Sequence, residues 1–329
     1  MIAGDGRAYE LLRAEFPRAK LLRLKGYHPV YPDKGSMVVS MAFQVPKFLF
    51  AIAREHFELS RIIRDYSIDA VISDNRYGLW SKDKPSVLIT HQVFIKMPRH
   101  MKWIEAAINR LNHFFIKKFR SCWVPDEAGN DNLSGELSHG KGLPPNVEYI
   151  GLLKRLSSAD LPMANSENGS LSYDLLVLLS GPEPQRTSLE KKIALQLSEL
   201  RLKTLIVRGV TEENRTERLN DLTESVSSLT TAKLSEVMKT SEIVVCRAGY
   251  SSLMELVHLK KKAVIIPTPG QTEQEFLAER CSEMNYFRME KQTEMNLSRA
   301  INKLKETTAP KIGVSSGYQA ALHRLVSAN

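Results

Sequence analysis

No apolar run in this 329-residue chain approaches eighteen residues, so no segment reads as a membrane-spanning helix. No stretch carries the charged, apolar and small-residue regions of a signal peptide, and a cytoplasmic protein is expected. Cysteine is scarce: Cys122, Cys246 and Cys281 are odd in number, and neither C-x-x-C nor a histidine at ligand spacing accompanies them. That argues against a disulfide framework and a structural zinc site, and for a reducing compartment. The phosphate-loop pattern ending in G-K-[ST] is missing, as is G-x-G-x-x-G, so those two nucleotide-binding motifs are excluded. Acidic residues are also in deficit, 37 against 46 Lys and Arg, for a net charge of +9. Anionic partners follow: nucleic acid, an acidic membrane surface or a phosphorylated substrate.

The excess has an address. Lys96–Arg120 holds seven Lys or Arg and a single acid, Glu105. Within it Ile104, Ile108, Leu111, Phe115 and Phe119 follow helical spacing, with Trp103 and Phe114 widening the stripe. A basic amphipathic helix rich in Trp and Phe reads as a binder of anionic membrane surfaces, peripheral on the inner face. A crossover helix packed on its own sheet, basic residues outward, fits the same letters. Nucleic acid is not expected, because the cations are interleaved with a continuous apolar stripe.

With 43% hydrophobic residues the chain can build two cores. Alternating strands and helices appear twice. The first set has a helix over Phe48–Asp65 and strands at Ala70–Ser73, Ser86–Thr90 and Cys122–Val124. Residues 151–172 turn to Ser, Asn, Gly and Pro, a linker composition. A second set opens with the apolar run Tyr173–Leu179 and the turn Ser180-Gly181-Pro182, then a helix over Thr187–Arg201 that contains neither Gly nor Pro, with a strand at Leu205–Val207 ending in Arg208. The fold expected is α/β with two Rossmann-like domains: 1–150, a linker over 151–172, 173–315, and a C-terminal helix in 316–329.

The run Cys246–Gln274, CRAGYSSLMELVHLKKKAVIIPTPGQTEQ, is the most informative. It reads as strand, glycine turn, helix, strand, second glycine turn, which puts two polar loops at the carboxyl ends of neighbouring parallel strands, where open α/β sheets bind ligands. Ser251 and Ser252 are candidate caps after Gly249, and Glu255 returns to the same helix face one turn on. Gln271, Thr272, Glu273 and Gln274, following Gly270, put amide, hydroxyl and carboxylate groups at the next helix start.

These residues resemble the donor-sugar half of two-domain GT-B glycosyltransferases, family 28 most closely. The resemblance implies that Glu255 binds the nucleotide ribose, that Arg247, Ser251 and Ser252 line the diphosphate, and that Gln271, Glu273 and Gln274 contact the sugar. Ser180, Gly181 and Arg186 would form the pyrophosphate cradle, with Arg208 on the same edge and Arg247, Arg186 or the helix start after Gly181 supplying positive charge. The C-terminal helix would cross back to the first domain.

In this fold the first domain holds the acceptor. Two polar clusters end its strands, Ser73-Asp74-Asn75-Arg76 and Thr90-His91-Gln92. Transfer with inversion needs a base for the acceptor hydroxyl, and Asp74 and His91 are the candidates, with Asn75 and Arg76 as acceptor contacts. Asp126, after Trp123-Val124-Pro125, is expected to position the hinge. One departure stands out. Related proteins begin with a strand and a G-x-G-H turn, whereas MIAGDGRAYELLRAEFP resembles their second strand and second helix. Either the numbered chain is shortened, or the protein lacks that motif and does not catalyse. A sheet position left open by the missing strand is then expected.

The activity implied is transfer of a sugar from a nucleotide diphosphate, UDP-linked, to a lipid-linked or polysaccharide acceptor. It is expected to be inverting and, without a D-x-D motif, metal-independent, and no cofactor is implied. Two other readings fit: a nucleotide-sugar hydrolase or epimerase, and a non-catalytic nucleotide-sugar or glycolipid-binding partner of a membrane enzyme.

Overall fold

The structure, a computed structural model, describes residues 1–27, 44–153, 172–210, 215–313 and 315–327. Most of the expected linker, 154–171, lies outside them. Contacts divide the chain into two compact units, Met1–Tyr9 with Arg18–Leu153 and Ile312–Asn329, and Glu10–Pro17 with Lys154–Lys311.

In the first unit β1 (Ile2–Gly4) and β2 (Leu21–Arg23) pair in parallel; helix α1 (Gly6–Glu15) joins them in the chain. After α2 (Val45–Asp65), strands β3 (Val71–Asp74), β4 (Ser86–Ile89), β5 (Ser121–Val124) and β6 (Val147–Tyr149) form a parallel sheet in that order, with α3 (Lys102–Ile116) between β4 and β5. Among the described residues these strands make two sheets, where one broken by a vacant position was expected. The sheets share a core, in which Leu24, just after β2, packs with Leu59 of α2, Val71 of β3 and Leu79.

The four-stranded sheet shows the period of two that pleating imposes. Leu88 and Cys122 point to one face and pack with Ile116 of α3 and Phe119. Their neighbours Val87 and Trp123 point to the other, covered by Ala321 and Leu325 of the C-terminal helix α9 (Gly317–Val326). Gly151 admits this segment: a Cβ there would lie 2.2 Å from the Ser315 hydroxyl oxygen.

Arg76 holds the unit together from inside. Its guanidinium forms paired bonds to the fully buried Glu55 of α2, at 2.9 and 2.7 Å, and donates to the carbonyls of Leu24 (3.0 Å) and Lys25 (2.9 Å). Tyr27 donates to the same carboxylate at 2.9 Å, and burial, then the Glu55 charge, push the phenol well above its usual range. The expectation that Arg76 contacts the acceptor is thereby corrected, since its donors are committed to the join between β2, β3 and α2.

The second unit has seven strands in the order β13-β12-β11-β7-β8-β10-β9. These are β7 (Leu175–Leu178), β8 (Thr204–Val207), β9 (Thr216–Arg218), β10 (Thr223–Val226), β11 (Ile243–Cys246), β12 (Lys262–Ile265) and β13 (Arg288–Met289). All pairs are parallel except β9 with β10. Helices α4 (Gln185–Leu197), α5 (Thr231–Thr240), α6 (Tyr250–His258), α7 (Thr272–Glu283) and α8 (Leu297–Asn302) connect them. The continuous apolar runs are those of strands buried on both faces. Leu189, Ile193 and Leu197, one turn apart on α4, pack with Leu297 and Ala300 of α8 over Leu175, Val177, Val245 and Val264.

Arg76→Ala would strand the Glu55 carboxylate in the core, and a loss of about 3–5 kcal/mol is expected. Urea unfolding followed by tryptophan emission measures it in the first unit alone, because Trp80, Trp103 and Trp123 all lie there. Arg76→Met with Glu55→Leu should recover most of the loss.

Candidate functional site

The chain crosses from β7 to β8 and β10 on one side, then returns to the other side of β7 with β11. This reversal is a topological switch point, and the crevice outside the carboxyl ends of β7 and β11 is where such sheets take ligands. Three loops converge there: Leu179–Pro184 after β7, Arg247–Gly249 after β11 and Ile266–Gln271 after β12.

Arg247 fastens them. Its side chain is 1% exposed, and its guanidinium donates to the carbonyl of Gln185 (2.9 Å), where α4 begins after the β7 loop, and to those of Pro267 (3.2 Å) and Ile266 (3.4 Å) in the β12 loop. Burial pushes its pKa down to about 10, so it remains charged at neutral pH. The expected direct contact with a diphosphate is corrected: this cation faces inward and positions the loops.

Arg186 is corrected likewise. It is buried and bonds Glu183 at 2.6 Å and Glu190 at 2.8 Å, while Glu190 also receives Arg208 at 2.6 Å. Glu183 is held below the usual carboxylate range: partial burial pulls it up, but bonds from Thr187 and Arg186 outweigh that. The Arg186–Glu190 pair has the i, i+4 spacing that the sequence carried openly.

What the loops present is backbone and helix ends. Gly181 has φ +102°, which a side chain would strain, and both it and Ser180 are exposed. Helix α6 begins at Tyr250 with Gly249 as its N-cap and no side-chain cap, so Ser251 and Ser252 lie inside its first turn and do not cap it. Helix α7 also starts without a side-chain cap, at Gln271. Uncapped N-termini leave N–H groups for an anion. Glu255 is half-buried on α6 one turn beyond the serines. Gln271, Thr272, Glu273 and Gln274 are all half-buried at the start of α7. Gln274 accepts the Thr268 N–H (2.9 Å) and Glu275 that of Gly270 (2.9 Å), so two side chains of α7 fold back to shape the loop before it. Glu190 and Glu275 escaped the sequence reading because their role is to bond groups of the protein itself, Arg186 and Arg208 for the first and the Gly270 N–H for the second.

On the first unit Asp74 and Asn75 end β3, and Thr90 and His91 follow β4. Asn75, at φ +52°, accepts the Thr90 hydroxyl at 3.2 Å, and that hydroxyl accepts the Gln92 N–H at 3.1 Å. Asp74 is exposed by area, yet neighbouring protein atoms desolvate its carboxyl enough to raise its pKa, and the charge of His91 opposes the rise. The two base candidates are therefore within electrostatic reach of each other. Asp126 is fully buried and saturated by the N–H groups of Glu127 (2.9 Å), Leu133 (2.9 Å) and Ser134 (2.7 Å) and by the Ser134 hydroxyl. It organises its own loop, where Ser138 and His139 continue the chain of bonds. Among the described residues no three His, Cys, Asp or Glu side chains could hold a metal ion.

Residues 185–313 match the glycosyltransferase family 28 C-terminal domain. No curated protein is similar enough in sequence to match. Solved structures share the fold at low identity. The glycotransferase of kitacinnamycin has a TM-score of 0.59 and 13% identity, over 99% of this chain and 86% of that one. MnaA of S. aureus, solved with UDP, has 0.58 and 12%, over 100% and 96%. MurG of Acinetobacter baumannii has 0.54 and 12%, over 99% and 90%.

Arg247→Lys should loosen two loops at once, because a single ammonium cannot span carbonyls on both sides. Losing about 1.5–3 kcal/mol of charge-assisted bonding should speed amide exchange in peptides spanning 180–186 and 266–274 on the order of tenfold or more. Peptides over 223–226 should be unaffected in the same mass-spectrometric experiment.

With the switch point, its uncapped helix starts and the matched residues together, the second unit is similar over 185–313 to the C-terminal domain of glycosyltransferase family 28, in a chain that shares the GT-B fold of two Rossmann-like units.

Proposed function

We propose that this glycosyltransferase-type chain moves a sugar from a nucleotide-diphosphate donor, UDP-linked, to a lipid-linked or polysaccharide acceptor, with inversion and without a metal. The observation that carries the donor side is the convergence of three loops on Arg247 at the switch point of the family 28 domain. The backbone N–H groups at Ser180-Gly181 and at the starts of α6 and α7 would face the diphosphate, since the nearby guanidinium groups of Arg186 and Arg247 are engaged inside. Glu255 would accept the ribose hydroxyls, and Gln271, Glu273 and Gln274 would contact the sugar. Among proteins similar in fold, MnaA was solved with UDP and the rhamnosyltransferase SpnG with thymidine diphosphate, which supports a pyrimidine nucleoside diphosphate.

On the acceptor side Asp74 is the base we favour. Its raised pKa brings it closer to the value a base needs near neutrality. His91 would tune it, and Asn75 would steady the acceptor. A lipid-linked acceptor places the protein at the cytoplasmic membrane surface, within cell-envelope polysaccharide synthesis, approached through Lys96–Arg120. No helix among the described residues is long and apolar enough to cross a membrane.

Calorimetric titration with UDP, GDP, CMP and TDP tests the donor site. One nucleotide should bind in preference to the others, and Glu255→Ala should weaken it by roughly 1–3 kcal/mol, the scale of a lost hydrogen bond to a charged group. An unchanged affinity in the variant would remove Glu255 from the site.

A further inference from the structure

Thr268 stands in the loop after β12. It is fully buried, and among the described residues its hydroxyl has no hydrogen-bond partner. The main chain of this residue is held on both sides: its N–H donates to the Gln274 side chain at 2.9 Å, and its carbonyl accepts the Gln271 N–H at 3.0 Å. A threonine in a loop usually turns its hydroxyl on an N–H two or three residues ahead. Here those donors are spent, since Gly270 donates to Glu275 at 2.9 Å and Gln271 to the Thr268 carbonyl, while Pro269 between them has no N–H. The hydroxyl is therefore neither a cap nor a turn bond. On a fixed main chain, a β-branched side chain has little freedom to seek another partner.

Against it lies the loop after β7. Gly181, at φ +102°, has no side chain, and a Cβ built there would come 4.0 Å from the Thr268 hydroxyl oxygen. Ser180 and Gly181 are themselves exposed, so the hydroxyl sits one layer of backbone below the crevice, between the β7 loop and the start of α7. Arg247 sets this spacing, through Gln185 on one side and through Ile266 and Pro267, next to Thr268, on the other. A buried hydroxyl without a partner costs its full desolvation, and a valine of the same shape would fill a permanently sealed position without that cost.

We propose that the Thr268 hydroxyl donates to the distal phosphate of the nucleoside diphosphate, the Ser180–Gly181 turn yielding as the ligand seats. The phosphate is the distal one because Thr268 belongs to the loop that runs into Gln271–Gln274, the residues proposed for the sugar, whereas Glu255, proposed for the ribose, lies on α6. Helix starts attract the diphosphate with partial charges alone, and a hydroxyl beside them adds one directed bond to an ionised oxygen, which is stronger than a bond between neutral groups. This rests on the donor reading of the site and adds to it a preference for diphosphate over monophosphate.

Thr268→Val and Thr268→Ser in the full chain test it, by calorimetry with and without nucleotide. Without nucleotide, Thr268→Val should melt at or above the wild-type temperature, since no bond is lost. The nucleoside diphosphate among UDP, GDP and TDP that the wild type binds most tightly should bind Thr268→Val about tenfold more weakly. The matching monophosphate should bind both alike, and Thr268→Ser should bind the diphosphate as the wild type does. A Thr268→Val chain that melts lower without nucleotide would show the hydroxyl already bonded within the protein, and would overturn the proposal. So would a variant that binds the diphosphate as well as the wild type, or that loses diphosphate and monophosphate equally. In those cases the wild type still binds nucleotide and the donor reading stands; if the wild type binds none of the diphosphates, both fall.

Discussion

A single buried guanidinium sets the geometry of the donor-side edge. Neighbouring strands lie about 4.8 Å apart, so a side chain at the end of β11 can reach the loops of β7 and β12 at once if it carries donors in a rigid fork. Arginine does, and lysine does not. The acceptors of Arg247 are main-chain carbonyls, which cannot move without moving their loops. Desolvation works against the buried charge, and the pKa of about 10 records this cost without removing the proton. What results is preorganisation: loops already held in place lose less freedom when a ligand arrives.

The same economy recurs. Arg186 and Arg208 share Glu190, and Arg76 holds Glu55. In each case a cation near a strand end, where a sequence reader looks for an anion site, is satisfied within the protein. In the proposed function, attraction for a diphosphate would come from partial charges at helix starts, which are weaker than a guanidinium but fixed in direction. Such a site favours a ligand of the right shape over any passing anion.

Strands were legible to within a residue or two because parallel strands buried on both faces are short continuous apolar runs. β4, at Ser86–Ile89, is one residue shorter than the expected Ser86–Thr90, and β7 is the core of the longer run Tyr173–Leu179. The helix expected over Thr187–Arg201 runs instead from Gln185 to Leu197, and Leu200 beyond its end still packs against the same core. The convergence of the loops at one edge was also legible, through topology. What was not legible was direction. An arginine after a strand reads the same whether it points to solvent or to carbonyls two strands away, and only the i, i+4 acid after Arg186 hinted otherwise. Ser251 and Ser252 misled for a related reason: the residue that begins α6 is fixed by where Gly249 turns the chain, and serines one position too late cannot cap it.

On the first unit the same accounting works by elimination. Asp126 has the burial of a functional carboxylate, but four donors of its own loop occupy its oxygens and leave none facing outward. Arg76 is committed to Glu55. Thr90 spends its hydroxyl between Asn75 and the Gln92 amide, which fixes the two strand ends against each other and so the spacing of the groups they carry. Asp74 then remains the carboxylate on this edge that burial raises, with the charge of His91 close enough to oppose the rise. Desolvation that raises Asp74, opposed by a neighbouring imidazole, is the arrangement by which a carboxylate can gain basicity and still ionise at neutral pH. The proposal of a base on this unit therefore rests on two strand ends whose spacing is set by a threonine that touches neither base directly.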